Sequence, residues 1–210
     1  MHAEGIKTFA WTPGPLVEAA TAELPAGEHA TQAYLRDKGI IALGNDKKLR
    51  AKALYAGKDF YKLFSFDLLH GSPENVLADE QGLVLSHDLA TRLFGNAEAA
   101  LGQTVSWNLE GRIARYRVSG IQAAIPSRST LQFDVVLPYA RLVQEVPNFG
   151  SWDSNEPFTY LRVSPETDVK ELSQQIQNYW QANPILQIPA YRLLLLQTTI
   201  YTGSTKTALP

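Results

Sequence analysis

Two segments at opposite ends of the chain show the same order of elements, and this repetition most constrains the fold. Each of the segments 6–36 and 158–201 has the pattern of a strand, a helix and a second strand. Both helices begin with a good N-cap, Thr12 or Ser164, and a proline follows where the first helical position tolerates it. Two such units indicate a ferredoxin-like split βαβ body.

The residues between these units predict a different kind of structure. Apolar and polar side chains alternate here as in half-buried strands, and one helix is indicated. The strands lie at residues 104–109, 112–121 and 131–137. We therefore expect an α+β fold in which residues 1–74 and 156–210 form the ferredoxin-like body. A mainly β subdomain that carries one helix, residues 75–155, is inserted into it.

Residues 57–102 lead from one body to the other. Their first half is rich in aromatic residues and predicts a short amphipathic helix at 59–64. Their second half predicts a short apolar strand and then a helix, for which Ser86 is the N-cap and Gly95 the stop. The pattern before this segment predicts a hairpin with strands at 39–43 and 49–56.

The composition excludes several classes of protein. The chain has no cysteine, so disulfides, cysteine-ligated zinc, iron–sulfur clusters and a thiol nucleophile are excluded. A net charge of −2 provides no overall basic field for nucleic acid or anionic lipid. Apolar residues at 45% and charged residues at 19% indicate a globular fold. No apolar run approaches the roughly 18–20 residues that span a bilayer.

Ser86, His87 and Asp88 have the residue types of a catalytic triad but not its arrangement. Consecutive residues of a helix do not face one another, and triads converge from separate segments. The segment also lacks the Gly-x-Ser-x-Gly turn of serine hydrolases. We therefore interpret Ser86 as a helix cap and predict that the chain is not an enzyme.

Metal and nucleotide sites have no support in the sequence either. The four histidines lack the spacings of zinc ligands, and no glycine-rich loop precedes Lys-Ser or Lys-Thr. Asp59, Asp79 and Glu80 belong to the densest group of carboxylates, but a helix cap and exposed loop positions explain them. We predict no catalytic, cofactor-binding or metal-binding residues, and no cofactor.

Phe149 and Trp152 are the remaining candidates for function. They lie in a polar stretch, NFGSWDSNEPF, that has neither strand nor helix periodicity. Aromatic side chains supply much of the binding energy at interfaces, so one interpretation is a contact with a partner. The alternative is that their rings pack the loop onto the core.

Three stretches resemble the extracytoplasmic core domain of MacB-type ABC transporter permeases. They are KDFYKLFSFDLLHGSPENVL (58–77), GLVLSHDLATRLFGNAEAALGQTV (82–105) and YRVSGIQAAIPSRSTLQFDVVLP (116–138). Family members share an aromatic helix with an F-x-L-L-x-G tail, a strand and helix ending in L-F-G, and a strand pair around V-x-G-I and F-D. The form here is similar to the permeases common in Bacteroidetes-type bacteria.

The resemblance implies a periplasmic domain of an inner-membrane protein, with transmembrane helices before Ile6 and after Pro210. Residues 1–74 with 156–210 correspond to the porter-like subdomain of the family, and residues 75–155 to its sabre-like subdomain. The implied role is non-enzymatic: the domain transmits conformational change driven by a cytoplasmic ATPase in export or efflux. The implied partners are the rest of the permease, the ATPase, a second permease in a homodimer or heterodimer, and a periplasmic adaptor or lipoprotein. Nucleic acid is not among them.

Two other functions compete with this one. In the first alternative, the chain is a periplasmic module that binds a ligand or lipoprotein in the cleft between its subdomains, and Phe149 and Trp152 contact that ligand. The second alternative is a hydrolase that uses Ser86, but no spacing of nucleophile and base supports it.

Overall fold

Long strands organise the fold in this computed structural model. The structure describes residues 11–23, 27–154 and 156–163, with Asp168, Glu171, Leu172, Gln174, Gln175 and Asn178. The helices are α1 (Leu16–Glu23), α2 (Phe60–Leu63), α3 (His87–Phe94) and α4 (Tyr139–Glu145). The strands are β1 (Gly27–Leu43), β2 (Lys47–Ala56), β3 (Leu68–His70), β4 (Gly82–Ser86), β5 (Thr104–Leu109), β6 (Arg112–Gln122), β7 (Val135–Pro138) and β8 (Phe158–Val163). Short 3-10 turns cover Glu98–Ala100 and Pro147–Gly150.

The strands of the described chain pair into one mixed sheet that closes on itself. From β1 the hydrogen-bonded neighbours are β2, β7, β4, β6 and β5, and β5 pairs with β1 again. We call these strands the strand ring. The β2–β7 and β4–β6 pairs are parallel and the other pairs of the ring antiparallel. β8 continues the sheet beside the N-terminal half of β1, and β3 pairs with β6 outside the ring.

Large side chains fill the inside of the strand ring. Trp107, Tyr55 and Ile41 are fully buried there, because alternate residues of each strand point inward. The indole Nε1 of Trp107 donates a hydrogen bond to the Tyr55 hydroxyl at 2.9 Å, so both buried polar groups have a partner. Gly39 lets the Trp107 ring approach the backbone of β1, since a Cβ at this position would lie 2.0 Å from the ring.

A second core lies on the outside of the strand ring and contains the aromatic helix expected from the sequence. Phe60 on α2 is fully buried, and its ring centre lies 4.9 Å from that of Phe64 and 5.5 Å from that of Phe66. Phe133 joins this cluster, with its ring 6.0 Å from Phe60. Ring pairs of this kind stabilise a core beyond the burial of their surface. The segment that leads from one predicted body to the other is therefore packed against the sheet.

Many of the expected elements are present. The hairpin, the strands expected at 104–109 and 112–121, the strand expected at the start of segment 158–201, and the helix before Gly95 all occur. Ser86 caps α3 by accepting a hydrogen bond from the Leu89 N–H at 3.2 Å. Gly95 ends the helix with a left-handed φ of 82°, a conformation that favours glycine. Both signals at the ends of this helix are confirmed.

The start expected for the first helix is wrong. The helix begins at Leu16 and not at Thr12. The Thr12 hydroxyl donates to the Pro157 carbonyl at 3.1 Å and bonds the Thr159 hydroxyl at 2.7 Å, so it is not available as a helix cap. A tertiary contact with the segment before β8 takes the place of the local one.

The strand expected at residues 131–137 is shorter than its alternating pattern indicates. β7 begins at Val135, because the Asp134 carboxylate accepts the Lys52 N–H at 2.7 Å where a backbone carbonyl would continue the ladder. Helix α4, directly after β7, and the short strand β3 were not predicted from the sequence.

The chain thus has a mixed α/β fold with few helices and a sheet-rich core. Strands from residues 1–74 and from residues 75–155 share the ring through the β1–β5 and β2–β7 pairs. The division into a ferredoxin-like body and an inserted subdomain stays a prediction. Residues 6–10 of the first predicted strand, most of the helix predicted after Ser164 and the last strand predicted in segment 158–201 lie outside the described residues. Among the described helices, none is long and apolar enough to cross a membrane.

Buried tyrosines predict a loss of stability at alkaline pH. Burial raises the pKa of several hydroxyls above the ordinary value of 10, those of Tyr55, Tyr61, Tyr116 and Tyr139. Above pH 10 the unfolded chain loses these protons while the folded chain keeps them, which favours the unfolded state. We expect the free energy of unfolding in urea to be unaffected by these groups below pH 10 and to fall above it. Ultraviolet absorbance follows the ionisation of the tyrosines. If all tyrosines of the folded protein ionised near the ordinary pKa of 10, the predicted loss of stability would be contradicted.

Candidate functional site

A groove of about 1000 Å³ lies where α1, α4 and the ends of β2 and β7 meet. β2 and β7 are parallel neighbours that end together, so the segments after them begin side by side. Residues from both predicted subdomains line the groove. Its apolar walls include Val17, Ala30, Leu77, Val143 and Phe149. Concave sites of this size with apolar walls are typical of ligand binding.

Phe149 lies in the wall of the groove and joins several segments. Its ring centre is 4.7 Å from that of Tyr34 on β1 and 6.4 Å from that of Tyr139 on α4, both edge to face. The Tyr139 hydroxyl donates to the Phe149 carbonyl at 2.9 Å. Gly14 approaches the same carbonyl so closely that an added Cβ would lie 2.0 Å from it. We call these four residues the Phe149 junction, because they hold β1, α4 and the segment before α1 together.

The charges at the rim of the groove are mostly acidic. Glu18 on α1 and Glu80 are exposed carboxylates, and Lys58 is the cation among the lining residues. The Asp59 carboxylate also lines the groove, but it accepts a hydrogen bond from Lys62 Nζ at 2.7 Å instead of capping α2. Asp59 occupies the predicted N-cap position of α2, but its carboxylate makes no capping hydrogen bond. The groove presents an apolar surface beside carboxylates.

Gln32 adds a buried polar side chain to the wall. The residue is 7% exposed, and its backbone carbonyl accepts the Gly57 N–H at 2.9 Å. In the described part of the chain no hydrogen bond involves its side-chain amide, although Gln32 lines the groove. Because this side chain lines the groove, its amide can exchange a water molecule for a polar group of a ligand.

The structure places the two predicted partner-contact residues differently. Phe149 is 6% exposed and belongs to the core, as expected if its ring packs the loop onto the core. Trp152, in the loop before β8, is half-buried. A partner contact by either residue stays a prediction. The sequence analysis named Phe149 for a cleft between the subdomains, and Phe149 lines this groove. The sequence did not indicate the other lining residues, because they come from segments far apart in the chain.

Ser86, His87 and Asp88 are not arranged for catalysis. The Ser86 hydroxyl accepts the Leu89 N–H in the helix cap, and the Asp88 carboxylate lies 3.4 Å from Arg92 one turn later. The His87 side chain is exposed. These contacts are those of a capped surface helix.

Replacing Ser86 by alanine should therefore affect stability. We expect a loss of about 1 kcal/mol in the free energy of unfolding, because the Leu89 N–H loses its acceptor. Ser127→Ala, at an exposed serine of the loop before β7, is the matched control and should change little. Urea unfolding measures both variants. A hydrolase would instead show turnover of ester or peptide substrates that is lost in Ser86→Ala at unchanged stability.

The described residues contain no group of three or more histidines and carboxylates that could hold a metal ion. Asp79 and Glu80 are exposed, as expected for loop residues. Asp79 lies 3.6 Å from Arg117, and Glu80 accepts a hydrogen bond from the Gln144 amide. The carboxylates that are dense in the sequence are thus engaged separately and form no acid–base pair.

Comparisons with known proteins show what this fold is similar to. A family model described as the MacB-like periplasmic core domain matches residues 3–179. A domain of a protein assigned as a permease from Porphyromonas gingivalis is similar over 82% of this chain and 78% of that chain, with a TM-score of 0.70 and 22% identity. This neighbour agrees with the resemblance to permeases of Bacteroidetes-type bacteria.

Two further solved structures share the fold. The periplasmic region of MacB from Actinobacillus actinomycetemcomitans matches over 81% of this chain and 74% of that chain, with a TM-score of 0.58 and 16% identity. The extracellular domain of the noncanonic ABC-type transporter YknZ from Gram-positive bacteria matches over 83% of this chain and 87% of that chain, with a TM-score of 0.55 and 12% identity.

No curated protein sequence matches the chain. The family model, however, covers most of its length, including the three stretches that carry the resemblance. The chain therefore belongs to the family of MacB-like periplasmic core domains.

Proposed function

We propose that the chain is the extracytoplasmic domain of an inner-membrane ABC permease and transmits conformational change driven by a cytoplasmic ATPase. Membership of the MacB-like family supports the periplasmic location and the link to a transporter. One observation carries the transmitting role: residues of both predicted subdomains are joined by the hydrogen-bonded strands of the closed ring and by the packed rings of the Phe149 junction. This role needs no enzymatic step.

Strand β1 supports this proposal because it runs along the whole sheet. It has 17 residues, and at about 3.3 Å per residue it reaches roughly 55 Å. Its N-terminal half pairs with β8, and its C-terminal half pairs with β5. A displacement near the groove would therefore reach the β1–β2 turn through hydrogen-bonded strands.

A distance measurement in the full-length permease with its ATPase tests the transmission. The 210 residues contain no cysteine, so within this domain spin labels attach only to a cysteine pair introduced at Glu18 on α1 and Gln144 on α4, both at the groove. Any cysteine in the rest of the permease is first replaced by serine. We expect the distance distribution to differ between the nucleotide-free and ATP-bound states. A control pair at Arg92, on α3, and Arg112, on β6, should keep its distance, because neither residue lies on the path through β1. Equal distributions for the groove pair in both states would reject the proposal.

The groove favours a second function, the capture of a lipoprotein or another ligand with an apolar part. Its volume of about 1000 Å³ is at the upper end of the range for small-ligand sites. The apolar walls would bury an acyl chain, and the Gln32 amide would bind a polar group near it. This function and the transmission of movement are compatible, since the same groove lies between α1 and α4.

Filling the groove tests the second function. Ala22→Trp and Ala78→Trp place bulk in the groove from exposed positions and leave the core intact. A fluorescent acylated peptide is the probe, and we expect it to bind the unmodified chain and to bind each variant at least tenfold more weakly. Ala124→Trp, at an exposed position outside the groove, is the control. No binding to the unmodified chain, or equal binding to all variants, would reject capture in the groove.

A further inference from the structure

The N-terminal half of β2 has a neighbouring strand on one side only. β1 pairs with β2 between Lys47 and Ala56, whereas β7 pairs with β2 only between Ala53 and Ala56. Among the described residues, no strand lies beside residues 47–52 on the side away from β1. The strand ring therefore closes at the C-terminal end of β2, and residues 47–52 form an edge of the sheet, which we call the open edge.

Backbone groups of the open edge point away from β1. The Lys52 N–H donates to the Asp134 carboxylate at 2.7 Å, and the Lys52 carbonyl accepts the Asp134 N–H at 2.9 Å. Along a strand, successive residues direct these groups alternately toward one neighbouring strand and toward the other. The N–H and C=O groups of Lys48 and Arg50 therefore point to the same side as those of Lys52. A sheet edge with such groups is a template for pairing with another extended segment.

The open edge carries a line of positive charge on the outer face of the sheet. Lys48, Arg50 and Lys52 are exposed and alternate with Leu49 and Ala51, which pack on the inner core. None of the ion pairs in the described part of the chain involves these three cations. Because the whole chain has a net charge of −2, this positive charge is a local concentration. The cations follow one another at about 7 Å, the distance between every second residue of a strand.

The chemistry of the open edge disfavours two occupants. If two copies of the chain paired through this edge, their lysines and arginines would lie opposite one another, and like charges in that position destabilise a sheet. A lipid bilayer would leave the backbone N–H and C=O groups of the edge without hydrogen-bond partners, which is costly in an apolar medium. An extended segment of opposite charge satisfies both the backbone groups and the cations.

We propose that the open edge of β2 binds an extended segment of a partner protein in which acidic and apolar residues alternate. The segment adds a strand to the sheet, and its backbone pairs with Lys48 and Arg50. Its acidic residues lie beside the cations on the outer face, because side chains of both strands repeat every second residue. Its apolar residues lie beside Leu49, which is half-buried, on the inner face. Asp134 makes the same two kinds of contact with Lys52, one through its backbone and one through its carboxylate.

Hydrogen exchange, measured residue by residue on the complete 210-residue chain, tests whether the edge is open. We expect the amides of Lys48 and Arg50 to exchange fast and those of Leu49 and Ala51 to exchange slowly, because only the second pair bonds to β1. Slow exchange of Lys48 and Arg50 in the chain alone would overturn the proposal, because another part of the chain would then occupy the edge.

Binding of a designed peptide to the same chain tests the occupant. The probe is a fluorescent peptide in which glutamate and valine alternate, and anisotropy measures its binding. We expect saturable binding that slows exchange of the Lys48 and Arg50 amides. Binding should weaken at least about tenfold between about 0.1 M and about 1 M salt, because salt screens exposed charges. The same peptide with a methyl group on every backbone nitrogen keeps its charges but cannot donate to the edge, and it should bind at least about tenfold more weakly.

Variants of exposed residues locate the site. Lys48→Glu and Arg50→Glu should each weaken binding at least about tenfold, because they place a carboxylate beside the glutamates of the peptide. Arg115→Glu makes the same charge change on the outer face of β6, three strands away, and should bind within about twofold of the unmodified chain.

Absence of saturable binding would overturn the proposal, as would binding that leaves the exchange of the Lys48 and Arg50 amides unchanged. Equal binding of the methylated peptide would show attraction by charge alone, and an equal effect of Arg115→Glu would place the site elsewhere. Each of these two results also contradicts strand addition at β2. The proposal uses residues outside the groove, so it stands or falls separately from the functions proposed above.

Discussion

Replacement of Trp107 by alanine is expected to lower the free energy of unfolding by about 3–5 kcal/mol. The side chain is 0% exposed and fills the inside of the strand ring, so its truncation leaves a cavity that the closed sheet cannot easily collapse. It also removes the donor of the hydrogen bond to the Tyr55 hydroxyl, which stays buried. Since small domains are stable by about 5–15 kcal/mol in total, this variant would be close to unfolding.

Urea unfolding followed by circular dichroism measures the effect of Trp107→Ala. Trp107→Phe keeps most of the ring but removes the N–H, and we expect a smaller loss of about 1–3 kcal/mol. Trp11→Ala is the matched truncation at a side chain that is 50% exposed, and it should cost less than Trp107→Ala. If both alanine variants lost the same stability, the position of Trp107 at the centre of the ring would be contradicted.

Replacement of Phe149 by alanine is also expected to lower the free energy of unfolding by about 3–5 kcal/mol. The ring packs edge to face on Tyr34 and Tyr139, so its loss separates β1 from α4 at the groove. In the variant, the backbone amides of α4 should then exchange with deuterium faster than in the unmodified chain. The amides of α3, which packs elsewhere on the ring, should show a smaller change. Urea unfolding and hydrogen exchange together measure the two effects.

Trp152→Ala is the control for Phe149→Ala, because this half-buried ring lies in the same loop. We expect a smaller loss of stability than for Phe149. If Phe149 acts instead as a partner contact, its replacement would abolish binding of the acylated peptide and leave the free energy of unfolding unchanged. That result would contradict the structural role of the Phe149 junction.

The elements that the sequence predicted well are those whose signals are local. The helix from His87 to Phe94 has its cap, Ser86, and its stop, Gly95, within one residue of its ends, and both act as expected. Strand β5 follows from the strict alternation of apolar and polar residues between Thr104 and Leu109. Where a distant group competes with the local signal, as Pro157 does for the Thr12 hydroxyl, the predicted boundary is wrong.

By itself, the sequence determined the family, the β-rich middle of the chain and most of its strands, since motifs and periodicity are properties of neighbouring residues. Only the tertiary structure decided that the strands close into a ring, that Phe149 belongs to the core and lines a groove, and that Lys48 and Arg50 lie at an edge beside which no other described strand pairs. Alternation along a strand shows which residues share a side. The alternation contains no information on which other strand lies beside this one, because strand order depends on pairing between segments far apart in the chain.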